Sequence, residues 1–242
     1  MIPKIIHYCW FGRNPLPKMA QKCIASWRKF FPDYEIREWN EDNFDVNLIP
    51  YTQQAYEEKK YAFVSDFARF WILYHCGGVY FDTDVEVIKP MDNIIERGPF
   101  MGCENIDEKK IDVAPGLGLG VTIRHEIYKE LLDYYANLSF RKEDGTLNVK
   151  TIVPITTEVL MRHGLIITNK IQKVMGIWIY PKDYFNPLDS LTGRLKTTAN
   201  TCSIHWYMNS WGNNSPFRTW LSHVSHRIFG LKLHKIINKL KK

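Results

Sequence analysis

Residues Gly77 to Val85 read GGVYFDTDV: two glycines, a short apolar run, and two aspartates with one residue between them. Glycine takes the left-handed conformation at a helix C-terminus cheaply, so Gly77 and Gly78 are expected to stop a preceding helix. The run VYFD, Val79 to Asp82, then reads as a short buried strand. Side chains alternate across a strand, which places Asp82 and Asp84 on one side and Phe81 and Thr83 on the other. Two adjacent carboxylates repel each other unless a cation lies beside them, and oxygen ligands suit magnesium or manganese. Taken alone, such a pair is also ordinary at a solvated strand-to-turn junction, so the surrounding sequence has to decide.

Three settings for paired carboxylates fit poorly. A calcium-binding loop starting at Asp82 needs glycine at its sixth position and glutamate at its twelfth, where this chain has Val87 and Asn93. FDTDV also fits the D-x-D-x-[T/V] of haloacid dehalogenase-type phosphatases, but their motif lies on the first strand and needs a later acidic pair. The chain contains neither GD nor DD. Glycosidase carboxylates stand about 5–9.5 Å apart across the sugar, whereas two residues on one strand face suit a shared metal.

Outward from this stretch the pattern alternates. IPKIIHYCWFG, residues 2–12, has the β-branched and aromatic content of a first buried strand. Lys18 to Phe31 carries Met19, Cys23, Ile24 and Trp27 at helical spacing. DYEIREW is a second strand, and helices are expected over Tyr51–Lys60 and Phe63–Cys76. Further strands are expected near Pro99–Cys103, Leu117–Thr122, Ile177–Tyr180 and Thr201–Trp206, with helices over His125–Ala136 and Thr157–Arg162. Strands alternating with helices indicate an α/β sheet. RKEDGTLN, Arg141 to Asn148, reads as an exposed loop, and the glycines Gly116, Gly118 and Gly120 as a tight loop.

The 242 residues, 45% hydrophobic and 14% aromatic, suffice for a packed core. No opening segment has the form of a secretory signal, and no 18 apolar residues run uninterrupted. Five scattered cysteines, none in C-x-x-C spacing, argue against a disulfide framework or a zinc site and for reduced thiols in a cytoplasmic protein. The net charge is +6, but Arg218 to Lys242 holds seven Lys/Arg and no acid, which leaves about −1 for the first 217 residues. Basicity confined to a tail does not suit nucleic-acid binding by the domain.

The tail itself repeats Leu221, Val224, Ile228 and Leu231, then Leu233, Ile236, Ile237 and Leu240, with lysines and arginines mostly between. This is a basic amphipathic helix. Anionic headgroups attract each nearby Lys or Arg by roughly 1 kcal/mol, so the expectation is peripheral attachment to the inner face of the cell membrane.

Upstream of the aspartates, SDFARFWILYHCGGVYFDTDV sets Asp66 and Arg69 one turn apart on an otherwise apolar helix. An intrahelical ion pair is the plain reading. The whole string, D-x-x-R, apolar helix, then G-G-x-Y-x-D-x-D, resembles the sugar-binding region with the DXD motif in glycosyltransferase family 32, and more distantly the glucosylating bacterial toxins. IPKIIHYCWFG and YPKDYFNP are similar to that family's opening and late segments. HWYMNSW, His205 to Trp211, resembles its closing H-x(4)-S-W motif.

The resemblance implies a GT-A type nucleotide-diphospho-sugar transferase fold over residues 1–217, a Rossmann-like mixed sheet with flanking helices, followed by the helical extension 218–242. It implies a manganese- or magnesium-dependent transfer of a hexose, galactose, glucose or an N-acetylated form. The donor would be a nucleotide sugar, UDP-linked by family habit, and the acceptor a hydroxyl of a lipid-linked glycan, with retention of configuration. Tyr8 and Trp10 would line the base and ribose pocket. Asp66 and Arg69 would hold the donor sugar, with Arg69 also neutralising phosphate charge. Tyr80 would pack beside the nucleotide, and Asp82 would contact ribose or sugar, and the metal through water. Asp84 and His205 would ligate the metal, and Ser210 and Trp211 would touch the diphosphate. A non-catalytic sugar- or membrane-binding protein on the same fold is the alternative reading.

Overall fold

β1 (Ile5–Cys9) lies between β2 (Glu35–Trp39) and β3 (Gly78–Tyr80), parallel to both, in a computed structural model that describes residues 1–190 and 192–208. The remaining elements are α1 (Lys18–Phe30), α2 (Pro50–Glu57), α3 (Tyr61–Cys76), β4 (Val85–Val87), α4 (Asp92–Arg97), β5 (Phe100–Ile106), β6 (Ile111–Val113), β7 (Leu119–Val121), α5 (Glu126–Ala136), α6 (Ile152–Arg162), β8 (Gln172–Val174), β9 (Ile177–Tyr180), α7 (Lys182–Phe185) and β10 (Ser203–His205). The main sheet runs β2-β1-β3-β7-β5-β9-β8, with β6 paired to β5; β10 and β4 form a separate antiparallel pair. β7 is antiparallel to both β3 and β5, so β1, β3 and β5 all leave the sheet at the same edge. In open α/β sheets that carboxyl edge is where ligand sites are built.

Alternation along the strands sorts the core into two layers. Ile6, Tyr8, Val79 and Phe100 pack with Cys23, Ile24 and Trp27 of α1 and Phe185 of α7. Cys9, Tyr80, Met101, Leu119 and Ile179 pack with α2, α3, α5 and α6. Nine of the 16 residues of α3 are buried, Asp66 and Arg69 among them, so those charges sit in the interior rather than on a solvated face. His7 is fully buried: its Nδ1 accepts from Trp39 Nε1 at 3.0 Å, leaving Nε2–H to donate to the Gly77 carbonyl at 3.0 Å. Burial pushes its pKa down to about 4, so this imidazole is neutral and ties β1 to the start of β3.

Most expected elements form within a few residues of their expected bounds. The glycine pair departs from expectation. Gly77 caps α3 with φ 63° and ψ −162°, a positive φ without the left-handed helical ψ, and Gly78 (φ 101°) is the first residue of β3. A side chain at Gly78 would sit 2.7 Å from the Ile5 carbonyl oxygen, so strand contact as well as backbone conformation demands glycine. The strand is shorter than VYFD: β3 ends at Tyr80, and residues 83 and 84 form a turn. α6 starts at Ile152 rather than Thr157; Pro154 lies in its first turn, where the missing N–H costs nothing. β4, β6, β8, α4 and α7 were not anticipated; each is three to six residues long, too short for periodicity to show. No helix among the described residues is long and apolar enough to cross a membrane. Residues 218–242 lie outside the described residues, as does the boundary drawn at 217.

Candidate active site at the carboxyl edge of the sheet

Asp82 and Asp84 converge through a turn rather than by sharing a strand face. Val85 N–H donates to the Asp82 carbonyl at 3.0 Å, closing the turn. The Asp82 N–H donates to Gly116 O (3.1 Å), and Trp206 N–H donates to Asp84 O (3.0 Å). The pairing of β4 with β10 sets His205 opposite Val85, which brings a residue 121 positions later beside Asp84.

Arg69 is the hub of the first group. Its Nη2 lies 3.1 Å from Asp66 Oδ1 and 3.1 Å from Asp82 Oδ1, its Nη1 donates to Asp82 Oδ2 at 3.2 Å, and its Nε donates to Ser65 O at 3.1 Å. The guanidinium lies 4.8 Å over the Tyr80 ring, and the Tyr80 hydroxyl donates to Asp82 Oδ1 at 3.2 Å. Burial opposes the Arg69 charge, but Asp82, Tyr80 and Asp66 outweigh it and its pKa rises. Two carboxylates share this one cation, and the deeper carries the cost: burial, together with the Asp82 charge, pushes Asp66 up to about 7 against the pull of Arg69 and the Ile152 N–H at the start of α6.

The second group is Asp84 with His205. Their Oδ1 and Nε2 are 3.1 Å apart, and Asp84 Oδ2 accepts the Met208 N–H at 2.9 Å. Burial works against both charges, but each partner overrides it: Asp84 falls below the usual carboxylate range and His205 rises above the usual histidine value. One ligand atom each from Asp82, Asp84 and His205 lie within 4.8 Å of one another. Around a cation with bonds near 2.1 Å, adjacent octahedral ligands are about 3.0 Å apart and opposite ones about 4.2 Å. The observed spacings fit that after a small closure, and a set of two carboxylates and one imidazole suits manganese or magnesium. His205 Nδ1 is buried with no hydrogen-bond partner among the described residues.

These groups face a cavity of about 810 Å³ that is also lined by Trp10, Phe11, Tyr61, Glu104, Gly116, Ile152 and Tyr207. Of the expected site residues, Trp10, Asp66, Arg69, Asp82, Asp84 and His205 reach it. Tyr8 is not among its lining residues: it lies on the opposite face of β1, its ring edge-on to Trp27 and its hydroxyl donating to Glu38 Oε2 at 2.6 Å. Tyr80 is likewise behind the wall, against Arg69 and Asp82. Ser210 and Trp211 lie outside the described residues. Sequence reasoning missed Glu104 and Tyr207 and gave Gly116 only a loop role. A side chain at Gly116 would meet Asp82 Oδ2 at 2.0 Å, so its bareness makes room for the carboxylate. Glu104 follows an apolar run at the end of β5 that faces ligands, a signal the sequence does carry.

Residues 17–101 match the family described as "Glycosyltransferase sugar-binding region containing DXD motif". The chain is 26% identical over 220 residues to the uncharacterized glycosyltransferase L373 of Acanthamoeba polyphaga mimivirus, covering 87% of this chain and 84% of that protein. It is 30% identical over 111 residues to inositol phosphoceramide mannosyltransferase 1 of Schizosaccharomyces pombe, covering 41% of this chain; it spans only 33% of that relative's length. Among solved structures, the PaToxG glycosyltransferase superposes with a TM-score of 0.52 at 21% identity, covering 66% of this chain and 69% of that one. The D-x-x-R helix and DXD turn fall inside the matched region, on a mixed sheet shared with a GT-A type structure. The chain is thus similar to glycosyltransferases: residues 17–101 match their sugar-binding region with the DXD motif, and most of its length resembles the mimivirus protein.

Proposed function

We propose that the protein is a metal-dependent hexosyltransferase that moves a sugar from a nucleoside diphosphate, UDP by preference, to a hydroxyl of a lipid-linked glycan, with retention. The observation that carries this reading is the convergence of Asp82, Asp84 and His205 within 4.8 Å beside a buried arginine in a large cavity. Asp84, His205 and Asp82 would hold manganese or magnesium, whose charge would stabilise the departing diphosphate. Arg69, with its donors given to Asp66, Asp82 and Ser65, positions the Asp82 carboxylate. Asp66 and Asp82 both face Arg69, which leaves neither of these two free to attack the anomeric carbon. Trp10 at the mouth offers an aromatic face to the base and ribose.

The similarity to the inositol phosphoceramide mannosyltransferase 1 of Schizosaccharomyces pombe supports a lipid-linked acceptor and adds mannose to galactose, glucose and their N-acetylated forms as candidate sugars. The basic tail supports peripheral attachment at the cytoplasmic leaflet. A panel of UDP- and GDP-hexoses, incubated with and without manganese and assayed for released diphosphate, tests the reading. Manganese-dependent release from one donor is expected; sugar binding without turnover across the panel would favour a non-catalytic binding protein.

A further inference from the structure

Four carboxylates line the cavity: Asp66, Asp82, Asp84 and Glu104. The chain itself engages the first three, through Arg69, Tyr80, His205 and the Ile152 and Met208 N–H groups. Glu104 differs. Its Oε1 accepts the Tyr207 hydroxyl at 3.2 Å, while its Oε2 has no partner and the residue forms no ion pair among the described residues.

This carboxylate is held deliberately in place. Tyr207 adopts φ 51°, a left-handed conformation that is strained for a residue with a side chain. It is kept there by its ring against His205, with centroids 4.3 Å apart, and by its hydroxyl, which accepts from Asn186 Nδ2. Asn186 is fully buried, and the same Nδ2 donates to the Glu104 carbonyl at 3.3 Å. A buried amide and a strained tyrosine thus hold at the cavity wall, beside the metal-competent cluster, a carboxylate with one oxygen unpartnered among the described residues.

A carboxylate with no ion pair among the described residues, its charge felt by His205 beside it, accepts hydrogen bonds from hydroxyls and disfavours a phosphate in contact with it. The geometry points to Glu104 as the hydrogen-bond acceptor for a sugar hydroxyl, on the hexose being transferred or on the acceptor glycan, with Tyr207 and Asn186 as positioning residues. The assignment rests on the glycosyl-transfer reading above.

The test compares wild-type protein with Glu104→Gln and Tyr207→Phe. Binding of bare UDP and GDP with manganese is measured by tryptophan fluorescence. Diphosphate release is measured from UDP-glucose, UDP-galactose and GDP-mannose, and transfer is measured to octyl glucoside, octyl galactoside and octyl mannoside. Glu104→Gln should bind the bare diphosphates as wild type does, yet lose about ten-fold or more in kcat/KM, the effect of a lost hydrogen bond to a charged group. Tyr207→Phe should lose a smaller part of the same parameter. If release without acceptor falls as far as transfer, the hydroxyl belongs to the donor hexose; if transfer falls further, it belongs to the acceptor. Wild-type kinetics in Glu104→Gln, or an equal loss in bare diphosphate binding, overturns the assignment. Absence of turnover by the wild-type protein itself would instead overturn the glycosyl-transfer reading, and the assignment with it.

Discussion

Replacing Gly116 with alanine should disable the site while leaving the fold. The added Cβ would lie 2.0 Å from Asp82 Oδ2, 3.1 Å from Asp82 Cγ and 3.3 Å from Arg69 Nη1. Real Cβ contacts essentially never fall below 3.0 Å, so the carboxylate must retreat by about 1 Å. It has little freedom to do so, being pinned by Arg69 at 3.1 and 3.2 Å and by the Tyr80 hydroxyl at 3.2 Å, with its own N–H bonded to Gly116 O. A displacement of about 1 Å in a positioned group can cost about a hundred-fold in rate. Overpacking of this kind costs roughly 1–3 kcal/mol of stability, and Gly116 does not have a positive φ, so alanine adds no backbone strain. The assay pairs kcat/KM for diphosphate release with thermal unfolding: a loss of about two orders of magnitude in a protein still folded at the assay temperature is expected. Wild-type kcat/KM in Gly116→Ala would refute the claim that Asp82 must sit where the structure places it.

Arg69→Ala should destabilise the protein by about 3–5 kcal/mol, because it strands Asp66 and Asp82 without their cation; chemical denaturation measures this, and a change below 0.5 kcal/mol, the scale of an exposed helical pair, would contradict a buried triad. His7 should make the protein sensitive to mild acid. Its folded pKa of about 4 lies below the unfolded 6.5, so its contribution is present above pH 6.5 and is lost as pH falls towards 4, about 3 kcal/mol in all. The melting temperature measured in EDTA should fall over that window more steeply than in His7→Gln, and parallel curves would rule the account out. Truncation after Gly230 should abolish sedimentation with anionic vesicles while leaving diphosphate release near its full-length value; equal sedimentation of both forms would remove the membrane role.

Much of this was legible in the chain. The D-x-x-R helix, the glycine pair and the D-x-D stretch carried the resemblance to glycosyltransferases, and local periodicity and glycine punctuation placed the site at the end of a short strand after a helix. The reason offered for the meeting of Asp82 and Asp84 did not hold: strand alternation stops at Tyr80, and the turn, Gly116 and β10 bring the carboxylates to His205. Tyr8 shows the opposite limit. An aromatic two residues before Trp10 looks like a pocket residue, but Cys9 is the β1 side chain that faces the cavity, its neighbour Tyr8 packs on α1, and Trp10 reaches the cavity only from beyond the end of the strand. Spacing alone showed Asp66 and Arg69 only as neighbours within a helix, because spacing reveals neighbours but not depth, and both are buried. Glu104 and Tyr207 were invisible as a pair, since 103 residues and a strained tyrosine separate them from any local pattern.

The central claim is that Asp84 and His205 jointly hold a catalytic cation. The most direct measurement is the manganese dependence of diphosphate release by wild type and by Asp84→Asn, which is nearly isosteric and keeps an acceptor for the Met208 N–H. Saturable activation of the wild type by manganese, abolished in an Asp84→Asn protein that is still folded at the assay temperature, is the expected result. Wild-type turnover by Asp84→Asn at limiting manganese, or wild-type release unaffected by EDTA, would contradict it.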